Sequence, residues 1–210
     1  MKIVLISDTH NKHDFIDVPE GDVLIHSGDA TMGGRMEEIL NFGRWFARQP
    51  HALKIFVAGN HDLMFEKNLD SAKFLLPSSI TYLQDSKVVF NGVKFYGSPW
   101  QPRFFDWAFN VDRGPEIAKK WALIPEDTNV LITHGPPFGI GDLVPDYNDK
   151  TKTLNVGDEE LLKRVNQLQQ LKLHTFGHIH EGAGIHGKFV NASSLNGKYQ
   201  YVNKPIEIEI

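Results

Sequence analysis

Asp8, His10, Asp29, Asn60, His134, His178 and His180 are the side chains of this 210-residue chain best suited to hold metal ions. They stand in five short polar clusters, Asp8-Thr9-His10, Gly28-Asp29, Gly59-Asn60-His61-Asp62, His134-Gly135 and Gly177-His178-Ile179-His180. In extended backbone, residues two apart point the same way, so Asp8 with His10, and His178 with His180, can each aim two donors at one place. The donors mix oxygen and nitrogen without sulfur, which suits manganese first and iron, zinc, cobalt or nickel as alternatives. Seven such ligands are too many for one ion but fit two divalent ions if one carboxylate bridges, and Asp29 is the expected bridge. Two such ions, less the charges of Asp8, Asp29 and a bridging hydroxide, leave a local positive excess that would draw an anionic phosphoester. Bound water with a pKa lowered to about 7 would then be available for in-line attack at phosphorus.

His61 directly follows a proposed ligand, so it is poorly placed to join the same metal pair. It is better used as the proton donor to a departing alkoxide, with Asp62 beside it to raise or orient the imidazole. Asn60 and His61 are also expected to touch substrate. A lone Asp-x-His or His-x-His is commonly a surface turn. Five clusters at the ends of apolar runs are a different matter. His13, His26, His51, His174 and His186 have no partner at ligand spacing and read as structural; His26 and His174 lie inside apolar runs and stand at most behind the ligands. Asn191 either hydrogen-bonds a ligand or makes a turn.

The elements that must position these residues are legible in outline. Lys2–Ile6, Asp22–Ile25 and Leu53–Val57 are continuous apolar strands, each emptying into one of the clusters. Met36, Ile39, Leu40, Gly43, Phe46 and Ala47 recur at helical spacing and predict an amphipathic helix of roughly 14 residues, closed by Pro50. Val88–Phe90 and Val93–Tyr96 flank Asn91-Gly92, the dipeptide of a type I′ hairpin, so part of the architecture is antiparallel. The aromatic loop from Gly97 to Asp112 either walls a pocket or covers a sheet edge. A short helix from Pro115 carries Ile117 and Trp121, and the strand Asn129–Thr133 delivers His134. A helix beginning at Asp158 presents Leu161, Leu162, Val165 and Leu168, and Pro205–Ile210 alternates like a half-buried strand. The progression is that of an α/β chain with helices on the faces of its sheets, read as one domain over residues 1–210.

Composition sets the boundaries. A hydrophobic content of 41% is enough for a full core, and a net charge of -4 supplies no global field for a nucleic-acid polymer. There is no cysteine, hence no disulfide framework, which agrees with the cytoplasm. The apolar start Ile3–Ile6 is too short for a signal-peptide core or a membrane span.

Taken together, the five clusters resemble the signature of the calcineurin-like metallophosphoesterases, spread over nearly the whole chain. Trp100–Asn110, Thr133–Pro137 and His174–Gly182 further resemble the metallophosphoesterase-domain-containing phosphodiesterases related to the fetal-brain 239 proteins. The resemblance implies a four-layer αββα sandwich of two mixed sheets, with a dimetal centre at their common edge. It implies Asp8, His10, Asp29 and His180 on one ion, and Asp29, Asn60, His134 and His178 on the other. Some relatives carry glycine where His178 stands, so this chain has the fuller set. It departs from the phosphoprotein phosphatases, whose Gly-Asp leads into Asp-Arg-Gly, because here Gly28-Asp29 is followed by Ala30-Thr31-Met32. The expectation is a dimetal-dependent phosphodiesterase acting on small or cyclic-nucleotide diesters by metal-bridged hydroxide attack. The rivals are a phosphomonoesterase or nuclease with the same centre, and a non-catalytic interaction scaffold of the same fold.

Overall fold

The computed structural model describes residues 1–210 except 147 and 150. Its two large sheets are built from β1 (Lys2–Ile6), β2 (Val23–His26), β3 (Leu53–Phe56), β4 (Ile80–Tyr82), β5 (Ser86–Phe90), β6 (Val93–Ser98), β7 (Val130–Thr133), β8 (Leu173–Phe176), β9 (Gly184–His186), β10 (Phe189–Asn191) and β11 (Ile206–Glu209). The helices are α1 (Met36–Ala47), α2 (Leu63–Lys67), α3 (Leu69–Leu75), α4 (Pro115–Trp121) and α5 (Glu159–Gln167). One sheet has the order β11-β1-β2-β3-β4 and the other β9-β10-β8-β7-β6-β5. Within each sheet the central strands are parallel, and antiparallel partners occupy edges: β11 on β1 in the first, β9 on β10 and β5 on β6 in the second.

The β-branched, two-sided burial of the central strands follows from what covers them. Ile3, Leu5, Val23, Ile25 and Ile55 point to one face and pack against Phe95, Val130, Ile132, Leu173 and Val190 of the facing sheet. Alternate residues Val4, Ile6, Leu24 and Phe56 turn outward onto Ile39, Phe42 and Phe46 of α1. On the far side, Tyr96 and Leu131 meet Ile117 and Trp121 of α4 and Leu161 and Val165 of α5. Period-two side-chain alternation thus feeds two cores at once, giving the layers α, β, β, α. This is the expected fold.

Local boundaries differ from the sequence reading in small ways. The first helix spans 12 residues and ends with Arg48 as its C-cap, two short of the expected length. Met36, the first residue of α1, is 56% exposed, and the buried face of the helix begins at Ile39. Asp158 caps α5, its carboxylate accepting from Leu161 N at 2.7 Å.

The register decides where the chemistry falls. Ile6, His26 and Phe56 lie side by side at the ends of β1, β2 and β3. In the second sheet Ile132 pairs with Thr175, and Phe176 with Asn191. Parallel strands send their carboxyl ends to one edge, where open α/β sheets place ligands. The two edges are tied together by a bridge between Ser7 and Ser193 and by a 3.2 Å contact between the Ser27 and Thr175 hydroxyls.

Candidate metal centre

Three of the clusters, those of Asp8, Asp29 and His178, reach this edge through backbone that ordinary residues seldom adopt. Asp8, His10, Asn11, Asp29 and His178 have φ of 52°, 41°, 63°, 55° and 68°, in the left-handed region where a side chain is disfavoured. Strain of this kind persists where surrounding contacts over-determine the chain, and it gathers at functional sites. The motif glycines serve by absence of volume. A Cβ on Gly59 would lie 2.2 Å from Asp29 Oδ1, one on Gly28 2.2 Å from His134 Nδ1, and one on Gly177 2.0 Å from Asp8 Oδ2. Gly59 thus makes room for the Asp29 carboxylate.

Four histidines converge with one ring nitrogen already committed. Nδ1 donates to a backbone carbonyl in His10 (Thr31, 3.2 Å), His61 (Met32, 2.9 Å), His134 (Ser27, 2.9 Å) and His180 (Asn196, 2.9 Å). A carbonyl can only accept, so the proton sits on Nδ1 and Nε2 is left to ligate a metal or carry a second proton. His10 Nε2 is buried and has no hydrogen-bond partner among the described residues. It lies 3.7 Å from Asp29 Oδ2, and His134 Nε2 lies 3.4 Å from the same oxygen. Asp29 is therefore common to two groups of potential ligands, with His10 and His61 on one side and His134 and His178 on the other. A third group is Asp8, His10 and His180, in which His180 Nε2 is 3.4 Å from Asp8 Oδ1. Asn60 Oδ1 is 2.9 Å from His134 Nε2. The buried, unpartnered His10 Nε2, the ordered tautomers and the mixed oxygen–nitrogen donors together fit a pair of divalent cations.

Electrostatics agree with the geometry. Burial would raise the carboxyls of Asp8 and Asp29, but His180 beside the first and His134 beside the second hold both below the usual carboxylate range. Reciprocally, burial would lower the two imidazoles, yet Asp29 lifts His134 to about 9 and Asp8 lifts His180 to about 9. A divalent cation competes with such protons for the same lone pairs. His178, by contrast, is pushed down to about 3, by burial first and by the neighbouring His134 charge second.

His61 falls within the group formed with His10 and Asp29, closer to the centre than its chain position suggests. Its ring stacks on Trp107 with centroids 4.1 Å apart and meets His10 edge-on at 4.7 Å. Asp62 takes a different place from the one expected. Its carboxylate accepts from Gly59 N (2.8 Å), Thr31 N (3.0 Å), Thr31 Oγ1 (2.7 Å) and Ala30 N (3.3 Å), while the His61 ring is held by Met32. Asp62, the residue just before α2, is a clamp between the Asp29 and Asn60 loops. Burial and the nearby Asp29 charge push its carboxyl up to about 6.

Other residues of the centre carry no motif that sequence reasoning could have used. Ser193 Oγ donates to Asp8 Oδ2 at 2.9 Å. Asn191, left open between ligand contact and turn, donates to Gly141 O and Ile179 O and accepts from Ser193. Tyr199 packs against the rings of His10 and His180 at 4.9 and 5.7 Å. The aromatic loop walls the site: besides Trp107 on His61, Phe104 lies edge-on to His178 at 6.0 Å. Of the histidines set aside, His26 contacts Thr9 Oγ1 at 3.0 Å and His174 contacts Thr133 Oγ1 at 2.8 Å, both behind the ligand-bearing loops.

Two facing mixed sheets with paired Asp/His clusters at their common carboxyl edge define a metal-dependent phosphoesterase architecture. Residues 1–182 match the calcineurin-like phosphoesterase family, and the chain belongs to it. It is 42% identical over its whole length to human metallophosphoesterase domain-containing protein 1, covering 71% of that protein. It is also 39% identical to the UPF0046 protein K07C11.7 of Caenorhabditis elegans, with 98% of this chain and 74% of the relative aligned. No helix among the described residues is long and apolar enough to cross a membrane.

Proposed function

We propose that the protein is a dimetal-dependent phosphodiesterase acting on small diesters, nucleoside cyclic phosphates included, with manganese as its working ion. The observation that supports this best is the Asp29 carboxylate, with one oxygen 3.7 and 3.4 Å from the Nε2 atoms of two histidines whose Nδ1 atoms are committed elsewhere. Asp8, His10, Asp29 and His180 would hold one ion, and Asp29, Asn60, His134 and His178 the other. Two divalent ions there would neutralise phosphoryl charge and lower the pKa of water toward neutrality.

The chain's own residues then supply position and a proton. His61 donates Nδ1–H to Met32 O, so a proton on Nε2 makes its ring a cation able to give that proton to a leaving alkoxide. Trp107 fixes the plane of the ring by stacking, and His61 N holds Asp29 Oδ1 at 2.8 Å. The enzyme is proposed to act in the cytoplasm on small diester or nucleotide substrates, without a nucleic-acid polymer or membrane as partner.

His61→Gln tests the assignment. The variant is expected to keep its manganese and to lose most turnover, about 10²-fold or more, on diesters with poor leaving groups, while aryl diesters with good ones suffer less. Metal analysis with paired kinetics reads both; equal rates of variant and wild type on the poor leaving group would sink the proton-donor role. A large preference of wild type for aryl monoesters or single-stranded oligonucleotides would replace the diesterase reading by phosphomonoesterase or nuclease. Bound manganese without any hydrolysis would point to a scaffold.

A further inference from the structure

The cavity lined by the candidate metal ligands, about 180 Å³, is bounded in part by Phe104, His178 and Glu181. The same three residues also line a second cavity of about 400 Å³. Its walls are mainly apolar, from Pro102, Phe104, Pro136, Val144, Val156 and Ile179. Two guanidiniums also line it, and each lies against a carboxylate of the protein, Arg113 at 3.9 Å from Asp158 and Arg103 at 2.7 Å from Asp112. Arg113 also donates to Gly157 O at 2.7 Å and to Val156 O at 2.5 Å. Glu181 is exposed and has no hydrogen bond or ion pair with the described residues, so its carboxylate stands unpaired beside both cavities.

We infer that the larger cavity receives an uncharged, largely apolar ester group of ring size, and that Glu181 excludes substrates whose group there is anionic. The inference rests on the phosphodiesterase reading for the position of phosphorus. Apolar walls gain from burying an aryl group and replace little of an anion's water. The carboxylate at the entrance adds like-charge repulsion in a partly shielded site. The two features act in the same direction.

Phosphinates test this without turnover, because both P–C bonds resist hydrolysis and the head group is monoanionic like a diester. Calorimetry on the manganese-loaded protein would compare dimethylphosphinate, methyl(phenyl)phosphinate and (4-carboxyphenyl)(methyl)phosphinate. The phenyl compound is expected to bind at least about tenfold more tightly than the dimethyl compound. Val144→Phe, which fills the cavity, should erase that advantage while leaving dimethylphosphinate affinity within about twofold; Val156→Phe serves the same purpose if the first variant fails to fold. Glu181→Gln should tighten the carboxyphenyl compound about tenfold and leave the phenyl compound unchanged. Equal affinity for all three compounds, a phenyl preference that survives both cavity-filling variants, or an equal gain for both aryl compounds in Glu181→Gln would overturn the inference. A phenyl preference in a loaded protein that hydrolyses no diester would instead remove the diesterase reading and leave the cavity assignment standing.

Discussion

At the scale of single residues, the centre depends on which atom of each side chain is left over. Committing Nδ1 to Thr31, Ser27 and Asn196 carbonyls orders the His10, His134 and His180 rings and presents Nε2 inward. Asn60 has no such second anchor on its oxygen, and His134 is its neighbour at 2.9 Å. Asn60→Ala is therefore expected to lower manganese stoichiometry, by about 10- to 100-fold in affinity, where His61→Gln leaves it intact. Asp62→Ala separates two roles in another way. Removing its carboxylate strands the amide donors of Ala30, Thr31 and Gly59 in the interior. Such buried donors cost about 1–3 kcal/mol each, so thermal unfolding should show a loss of about 3 kcal/mol or more together with weaker metal binding. A variant of full stability that keeps its metal and fails only on poor leaving groups would mean that Asp62 acts through His61 after all.

At the scale of elements, the site is a product of parallel strands whose carboxyl ends are level. The alternating faces of β1, β2 and β3 are held in place from outside by the aromatic side of α1, where Phe42 and Phe46 stack at 5.2 Å and Phe56 lies 4.9 Å from Phe42. Phe46 is fully buried there. Phe46→Ala should cost about 3–5 kcal/mol through lost burial and the cavity left behind, measured by denaturant unfolding. Because the loops carrying Asp8, Asp29 and Asn60 hang from those strands, metal affinity is expected to fall with stability. A loss below about 1 kcal/mol would show that the helix packs less tightly than its burial indicates.

At the scale of the whole molecule, buried histidines outside the ligand set make stability depend on pH. His174 is fully buried against Thr133 Oγ1, and burial first, then the Lys188 charge, pushes it down to about 3 from an ordinary 6.5. Between those values the unfolded chain binds a proton that the folded chain refuses, so stability rises with pH and is lost as pH falls from about 6.5 toward 3. The loss attributable to this residue is about 2 kcal/mol at pH 5. In the presence of a chelator, the drop in stability between pH 7 and pH 5 should be smaller by about that amount in His174→Gln than in wild type. Identical slopes would mean that the imidazole finds water or a proton partner in the folded state.

Residue types and short spacings carried much of this protein in the sequence. Asp8-x-His10, His178-x-His180 and Asn60 stood out as candidate ligands because ligand atoms come from few side chains, and continuous β-branched runs before most clusters announced buried strands that end at one edge. Helix α5 was readable from Asp158 and its apolar spacing for the same local reason. What depends on contact between distant segments was not readable. The clamp made by Asp62, the hydroxyl of Ser193 on Asp8, the ring of Trp107 on His61 and the second cavity beside His178 join residues 31 to 185 positions apart, and no local pattern marks such a meeting. Local chemistry determined which residues could bind metal; the register of two facing sheets decided which oxygen of Asp29 lies between two histidines, because only packing brings those strand ends to one edge.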